Sequence, residues 1–108
     1  MKTMQIFEPA MCCSTGLCGV NVNPELLRIS TVLNTLKRNG IAVQRFNLTN
    51  APQEFVNNKT VAAYVRKSGP KGLPVILVDD AIVIAGRYPT NAEFVTLLGL
   101  PKDMLHVS

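Results

Sequence analysis

Outside one window of seven residues this sequence has no cysteine. All three of its thiols, Cys12, Cys13 and Cys18, lie in the stretch Met11-Cys12-Cys13-Ser14-Thr15-Gly16-Leu17-Cys18-Gly19. An odd number packed this closely cannot staple distant parts of a fold, which excludes a disulfide-framed secreted domain and points to a reducing compartment. Histidine is nearly absent too. The one copy, His106, sits near the end of the chain and reads as a solvated surface residue. No long apolar run is present. The longest, around residues 74–78 and 81–85, fall far short of the roughly 18 residues of a spanning helix, and the segment 1–9 is too short in apolar run for a signal peptide. A soluble cytoplasmic protein with no membrane partner is expected. Internal repeats, low-complexity stretches and helix-turn-helix, zinc-finger or ribbon–helix signatures are all missing.

What is present suffices for a core. Hydrophobic residues make up 47% of 108 residues, enough for a single domain spanning 1–108 that folds by burial without disulfides or metal. The cysteines are therefore free for chemistry. Eleven Lys and Arg against seven Asp and Glu give a net charge of +4. The basic residues pair at Lys37-Arg38 and Arg66-Lys67, with Lys71 nearby. That density suits an ordinary basic surface better than a nucleic-acid-binding tail.

Local signals divide the chain cleanly. Residues 3–8 read as a short strand stopped by Pro9. Asn23-Pro24-Glu25 opens a helix, with Asn23 as N-cap, Pro24 at the first position and Glu25 favoured by the dipole. Leu26, Ile29, Leu33 and Leu36 form its buried stripe, broadened by Leu27 and Val32. Asn39-Gly40 ends it. Residues 41–48 read as a second strand, 52–56 as a helical turn and 60–67 as a further helix stopped by Ser68-Gly69-Pro70. The unbroken run Val75-Ile76-Leu77-Val78 predicts a strand buried on both faces. Asp79-Asp80 turns it into a hairpin with 81–85. Thr90 and Glu93 form a capping box for a last long helix that Gly99 closes, before a turn around residues 101–104. The order β-α-β, helices, β-β, α resembles the thioredoxin-like plan: a four-stranded mixed sheet whose first two strands are parallel. In that plan the functional cysteines follow the first strand and a proline, usually cis, begins the third. Cys12 to Cys18 and Leu73-Pro74 stand at those places.

Four chemistries compete for the three thiols. Buried filler is the default for a single cysteine, but a loop rich in Ser, Thr and Gly runs over the surface. A thioredoxin-type dithiol wants two intervening residues at a helix N-terminus; here the spacings are zero and four. That leaves a thiol oxidoreductase as a minority reading. Structural zinc wants four ligands, and no fourth is close. Copper(I) suits thiolates, with Met11 adjoining the pair, although packing is the simpler role for Met11. Trivalent arsenic or antimony prefers three sulfurs in a pyramid, and Cys12, Cys13 and Cys18 supply three. Once one sulfur holds the guest, the others act at an effective concentration near the millimolar scale. Gly16 and Gly19 let the loop fold back so that Cys18 meets the vicinal pair. Asp79-Asp80 makes a turn rather than a catalytic pair. Arg87 and Tyr88 read as a loop arginine and a half-buried tyrosine.

The run from Phe7 to Gly19 closely resembles the opening of the ArsD family, the trans-acting repressors and arsenic metallochaperones of arsenical-resistance operons. So do Arg45-Phe46-Asn47-Leu48, Gly72-Leu73-Pro74 and Ala85-Gly86-Arg87-Tyr88-Pro89. The resemblance spans nearly the whole chain. It implies a cytosolic thioredoxin-like protein that is not an enzyme and has no organic cofactor. It implies As(III) or Sb(III) as cargo at Cys12, Cys13 and Cys18, taken from a glutathione-bound metalloid and delivered to the ATPase of the efflux pump. It also implies weak, metalloid-relieved repression at the operon promoter as a homodimer, with no DNA-contacting residue identified. Some family members carry further vicinal cysteine pairs near the C-terminus. This sequence ends at Val107-Ser108 without them, so a second, tail-borne metalloid site is not expected.

Overall fold

The computed structural model describes residues 3–10, 23–101 and 104–105. Cys12, Cys13, Cys18, Met11, Gly16, Gly19 and His106 lie outside them.

Four strands, β1 (Met4–Glu8), β2 (Val43–Asn47), β3 (Val75–Val78) and β4 (Ala81–Ala85), form one sheet in the order β2-β1-β3-β4. β1 runs parallel to β2 and antiparallel to β3, and β3 runs antiparallel to β4. Helix α1 (Pro24–Arg38) joins β1 to β2, the crossover that a parallel pair requires. Helices α2 (Pro52–Asn57) and α3 (Lys59–Ser68) and a short 3-10 turn (Pro70–Gly72) lead to β3, and α4 (Asn91–Leu98) follows β4.

Alternation along the strands separates two cores. Met4 and Ile6 of β1 and Ile76 and Val78 of β3 join Ile29, Val32 and Leu36 of α1 and Phe94 of α4 in one cluster. Phe7, Val75 and Leu77 point the other way, onto Phe55 and Val61 of α2 and α3. β3 is thus buried on both faces, as its unbroken apolar run predicts. Phe7 stacks edge-on against Phe55, with ring centroids 5.2 Å apart.

The helix ends follow the sequence signals. Asn23 Oδ1 accepts the Glu25 amide at 2.8 Å, with Pro24 opening α1. At its other end Gly40 adopts φ +79, and the amides of Gly40 and Ile41 bond the carbonyls of Lys37 and Leu36, a Schellman closure. The stripe of α1 differs from expectation in one place. Leu27 is 53% exposed, whereas Val32 is buried with Ile29 and Leu36. The sheet contacts a narrow face of α1, and Leu27 falls outside that arc. β2 is also shorter than residues 41–48: Ile41 closes the helix cap and Leu48 lies beyond the ladder. In β4 the register slips beside Ile76–Leu77 and leaves Val83 unmatched. This bulge on an edge strand disfavours sheet extension.

The hairpin turn carries Asp79 at φ +51 and Asp80 at φ +67. Asp79 is tied down, since its Oδ1 accepts the Thr3 amide at 3.0 Å. Its own amide donates to the Thr3 carbonyl at 2.9 Å. Among the described residues none is hydrogen-bonded to the Asp80 side chain, so its backbone conformation is the main demand on this position. Asp80→Gly creates the Asp-Gly pair that this turn favours and is expected to raise stability by up to about 1 kcal/mol, because an L-residue is disfavoured at positive φ. Urea unfolding checks the direction; a lower midpoint contradicts it.

Candidate functional site

The register fixes where the cysteine segment leaves the sheet. Phe7 pairs with Val75 across β1 and β3, and Glu8 pairs with Asn47 across β1 and β2. One further step along the β1–β3 ladder sets Glu8 beside Pro74, the residue just before β3. The Leu73-Pro74 bond is cis, as the plan predicts. The three cysteines belong to the segment that starts beyond this point and ends at the N-cap of α1. Gly72 precedes the cis bond for a steric reason. A Cβ there would lie 2.5 Å from the Tyr64 hydroxyl, which donates to the Gly72 carbonyl at 2.9 Å.

Beneath the exit of β1 is a buried polar cluster that sequence reasoning missed. Glu8 is fully buried. By strand alternation it lies on the α1 side of the sheet, and it shares that side with Arg45 of β2. Arg45 Nη2 and Nε reach Glu8 Oε1 and Oε2 at 2.7 and 3.0 Å, a bidentate fork. Arg45 Nη1 also donates to Ser30 Oγ of α1 at 3.3 Å. The Tyr88 hydroxyl donates to Glu8 Oε1 at 2.6 Å. Burial, then the bond to Glu8, pushes the Tyr88 phenol well above its ordinary pKa, so it stays a proton donor. Among the described residues no buried side-chain nitrogen or oxygen lacks a partner. Glu8 before Pro9 and Arg45 in β2 were visible in the sequence, but their spacing of 37 residues gave no local sign of pairing. Tyr88, expected to be half-buried, is only 9% exposed.

A second set of bonds joins the start of α1 to the loop after β4. Arg28 Nη2 donates to the Pro89 carbonyl at 2.8 Å and its Nη1 to Asn91 Oδ1 at 2.7 Å. Its Nε pairs with Glu25 at 2.6 Å. Thr90 and Glu93 form the expected capping box in both directions. Arg87 grips the Glu93 carboxylate through Nη1 and Nη2 at 2.6 and 2.8 Å.

The Arg87 guanidinium, then the Thr90 amide, hold the Glu93 carboxyl down at about 2. A depressed folded-state value means stability that is complete above the ordinary carboxylate range and lost as pH falls from about 4.5 toward about 2. Wild type is therefore expected to exceed Glu93→Gln in urea midpoint at neutral pH, with the gap closing toward about pH 2. A gap that persists there contradicts the assignment.

Other sequence features carry less. Lys37 and Arg38 close α1 and Arg66 and Lys67 close α3. These helices pack on opposite faces of the sheet, so the two pairs do not form one basic face. They complement helix C-termini instead. Among the described residues no group of three His, Cys, Asp or Glu side chains is placed to hold a metal ion. Nor is any helix of those residues long and apolar enough to cross a membrane.

The sheet order β2-β1-β3-β4, the helical crossover between the parallel β1 and β2, and the cis-proline beside the exit of β1 define a thioredoxin-like α/β protein. Its relatives narrow that class. The family model described as "Arsenical resistance operon protein ArsD" matches residues 1–108, and the chain belongs to the ArsD family. Two Escherichia coli proteins named arsenical resistance operon trans-acting repressor ArsD are 48% and 44% identical over 103 residues, covering 95% of this chain and 86% of each relative. A putative arsenical resistance operon repressor ArsD from Halobacterium salinarum is 35% identical over 94 residues, 86% of this chain and 87% of the relative. The crystal structure of an arsenical resistance operon trans-acting repressor from Bacteroides vulgatus superposes with a TM-score of 0.89. It is 48% identical, over 94% of this chain and 95% of that one.

Proposed function

We propose that this protein captures As(III) or Sb(III) through the thiolates of Cys12, Cys13 and Cys18, passes the metalloid to the ATPase of an arsenical efflux pump, and acts as a metalloid-responsive repressor of an arsenical resistance operon. One observation carries the reading. A chain matched from end to end by the ArsD family holds all its thiols in the single segment between β1 and α1, where a thioredoxin-like fold keeps its reactive sulfurs. Three sulfurs suit a three-coordinate guest. Transfer from a glutathione-bound donor, and onward to the ATPase, proceeds by thiolate exchange, one sulfur at a time. No substrate bond is turned over, so the role is not enzymatic.

The binding test is mass spectrometry of the reduced protein with arsenite. Arsenous acid exchanges three hydroxyls for three thiolates and releases three waters, so the protein gains one arsenic and loses three hydrogens. Parallel titrations with copper(I) and zinc decide the guest. Preference for copper(I), or turnover of a disulfide or arsenate with a thiol reductant, replaces the reading with a copper-binding or oxidoreductase one.

Repression is supported by the names of the relatives and not by any recognition motif in the chain. A gel shift on the operon promoter, at low and physiological salt, tests it. Specific retention released by arsenite is expected. Binding equal to that on random DNA at both salts removes the repressor role, since phosphate contact alone is unspecific and salt-sensitive.

A further inference from the structure

We infer that the outer face of α3, continued by Lys71, is the surface that meets the phosphates of operon DNA. The inference rests on the repressor role proposed above and adds to it the residues that make the contact.

The net charge of the chain is concentrated in one stretch. Residues 59–71, KTVAAYVRKSGPK, hold four of the eleven Lys and Arg and none of the seven Asp and Glu. The other residues carry seven of each sign, so the whole net charge of +4 belongs to this stretch. The fold gathers that charge on one side. At about 100° per residue, Lys59, Arg66 and Lys67 fall on one arc of α3, opposite Val61 and Val65, which pack into the core. All three are exposed, as is Lys71 on the 3-10 turn that follows. Ala63, exposed between them, is too short to hold a partner away.

These cations are also uncommitted. Arg28, Arg45 and Arg87 each hold a carboxylate. Among the described residues no carboxylate pairs with Lys59, Arg66, Lys67 or Lys71, and Glu54 is the one acid of α2 and α3. Phosphate contact suits such a face, because it needs charge within reach and no recognition motif. The ten residues of α3 make about 15 Å of helix, and duplex DNA presents about nine phosphate charges over that length. The stretch has no Asn or Gln to read an adenine edge, so it supplies affinity and placement and leaves sequence discrimination to other contacts. A protein partner fits less well. Protein interfaces centre on apolar and aromatic side chains and are poor in Lys, and none of the exposed large apolar side chains among the described residues lies on α3.

The test compares two double variants that lose the same charge from the end of a helix. Arg66→Gln with Lys67→Gln alters the α3 face; Lys37→Gln with Arg38→Gln alters α1, on the opposite side of the sheet. Circular dichroism melts confirm that both are folded at the assay temperature. Affinity for a labelled operon promoter fragment and for random DNA is measured by fluorescence anisotropy over a series of salt concentrations. The α3 variant is expected to lower the slope of log affinity against log salt by about 2, one for each phosphate contact removed, on both DNAs. Adding Lys59→Gln and Lys71→Gln should lower it by about 4 in all. The α1 variant should keep the wild-type slope. Equal loss in both variants shows an effect of overall charge and overturns the assignment, as does a wild-type slope in the α3 variant. If that variant keeps its promoter affinity but binds the pump ATPase more weakly, the face belongs to an acidic protein surface instead. Wild type that binds promoter and random DNA alike fails the repressor reading, and a slope lost only in the α3 variant then still supports the phosphate contacts. Wild type without affinity for either DNA at low salt removes both.

Discussion

Replacing Glu8 with alanine is expected to bring the domain close to unfolding. Glu8 is fully buried, and the guanidinium that it neutralises is 15% exposed. Removing the carboxylate strands that charge under the sheet and takes the acceptor from Tyr88. Breaking a buried pair from one side costs about 3–5 kcal/mol, against a total of about 5–15 kcal/mol for a typical domain. Urea unfolding should show a midpoint lowered accordingly. The sharper test is the double variant Glu8→Leu with Arg45→Met. It removes both charges and fills the space with apolar side chains, and such replacements are often neutral or stabilising. The double variant is thus expected to be more stable than Glu8→Ala. Additive losses show instead that each side chain contributes mainly through its own packing, with little coupling between the two.

This cluster also marks the limit of what the sequence reveals. The local elements are legible because their causes are local. Asn23-Pro24 caps a helix through one side-chain oxygen, Asn39-Gly40 closes it through a positive φ, and Thr90 with Glu93 is a reciprocal pair three residues apart. The β3 run is legible because a strand covered on both faces has no polar side. From these the order of elements follows, and with it the expectation that Pro74 is cis and faces the exit of β1. The Glu8–Arg45–Tyr88 cluster has no such signature. Its members come from β1, β2 and the loop after β4, up to 80 residues apart, and only the sheet order makes them neighbours. An acidic residue ending a strand before proline looks like a surface residue until its partners are placed. The exposure of Leu27 was hidden for a related reason: periodicity gives a helix its apolar arc but not the width of the surface that meets it. The register slip in β4 depends on cross-strand packing that five apolar residues do not encode. The cysteine trio lies at the other extreme. Its candidacy rests wholly on the sequence and the family, with the fold adding the two anchors between which it hangs.

Substituting Cys18 with serine is expected to weaken arsenite binding by about 10²–10⁴-fold, the range by which a tethered extra contact strengthens attachment. The adjacent Cys12 and Cys13 remain, so capture is not abolished. Arsenic should keep one hydroxyl in place of the missing sulfur, and the mass gain should correspond to loss of two thiol hydrogens instead of three. Phenylarsine oxide separates this effect from damage to the fold. It has two exchangeable positions and should bind Cys18→Ser as it binds wild type. Cys12→Ser and Cys13→Ser should each lose affinity for both compounds, because each destroys the adjacent pair. The physical reason lies in the spacing. Cys12 and Cys13 are adjacent and need little loop closure, whereas Cys18 stands five positions beyond Cys13, so its bond closes a longer loop. If Cys18→Ser takes up arsenite with undiminished affinity, Cys18 is not a ligand, and the vicinal pair alone must account for binding. If it loses phenylarsine oxide as well while its circular dichroism melt matches that of wild type, Cys18 is one of the two sulfurs that phenylarsine oxide takes, and the adjacent pair is not the primary grip of the site.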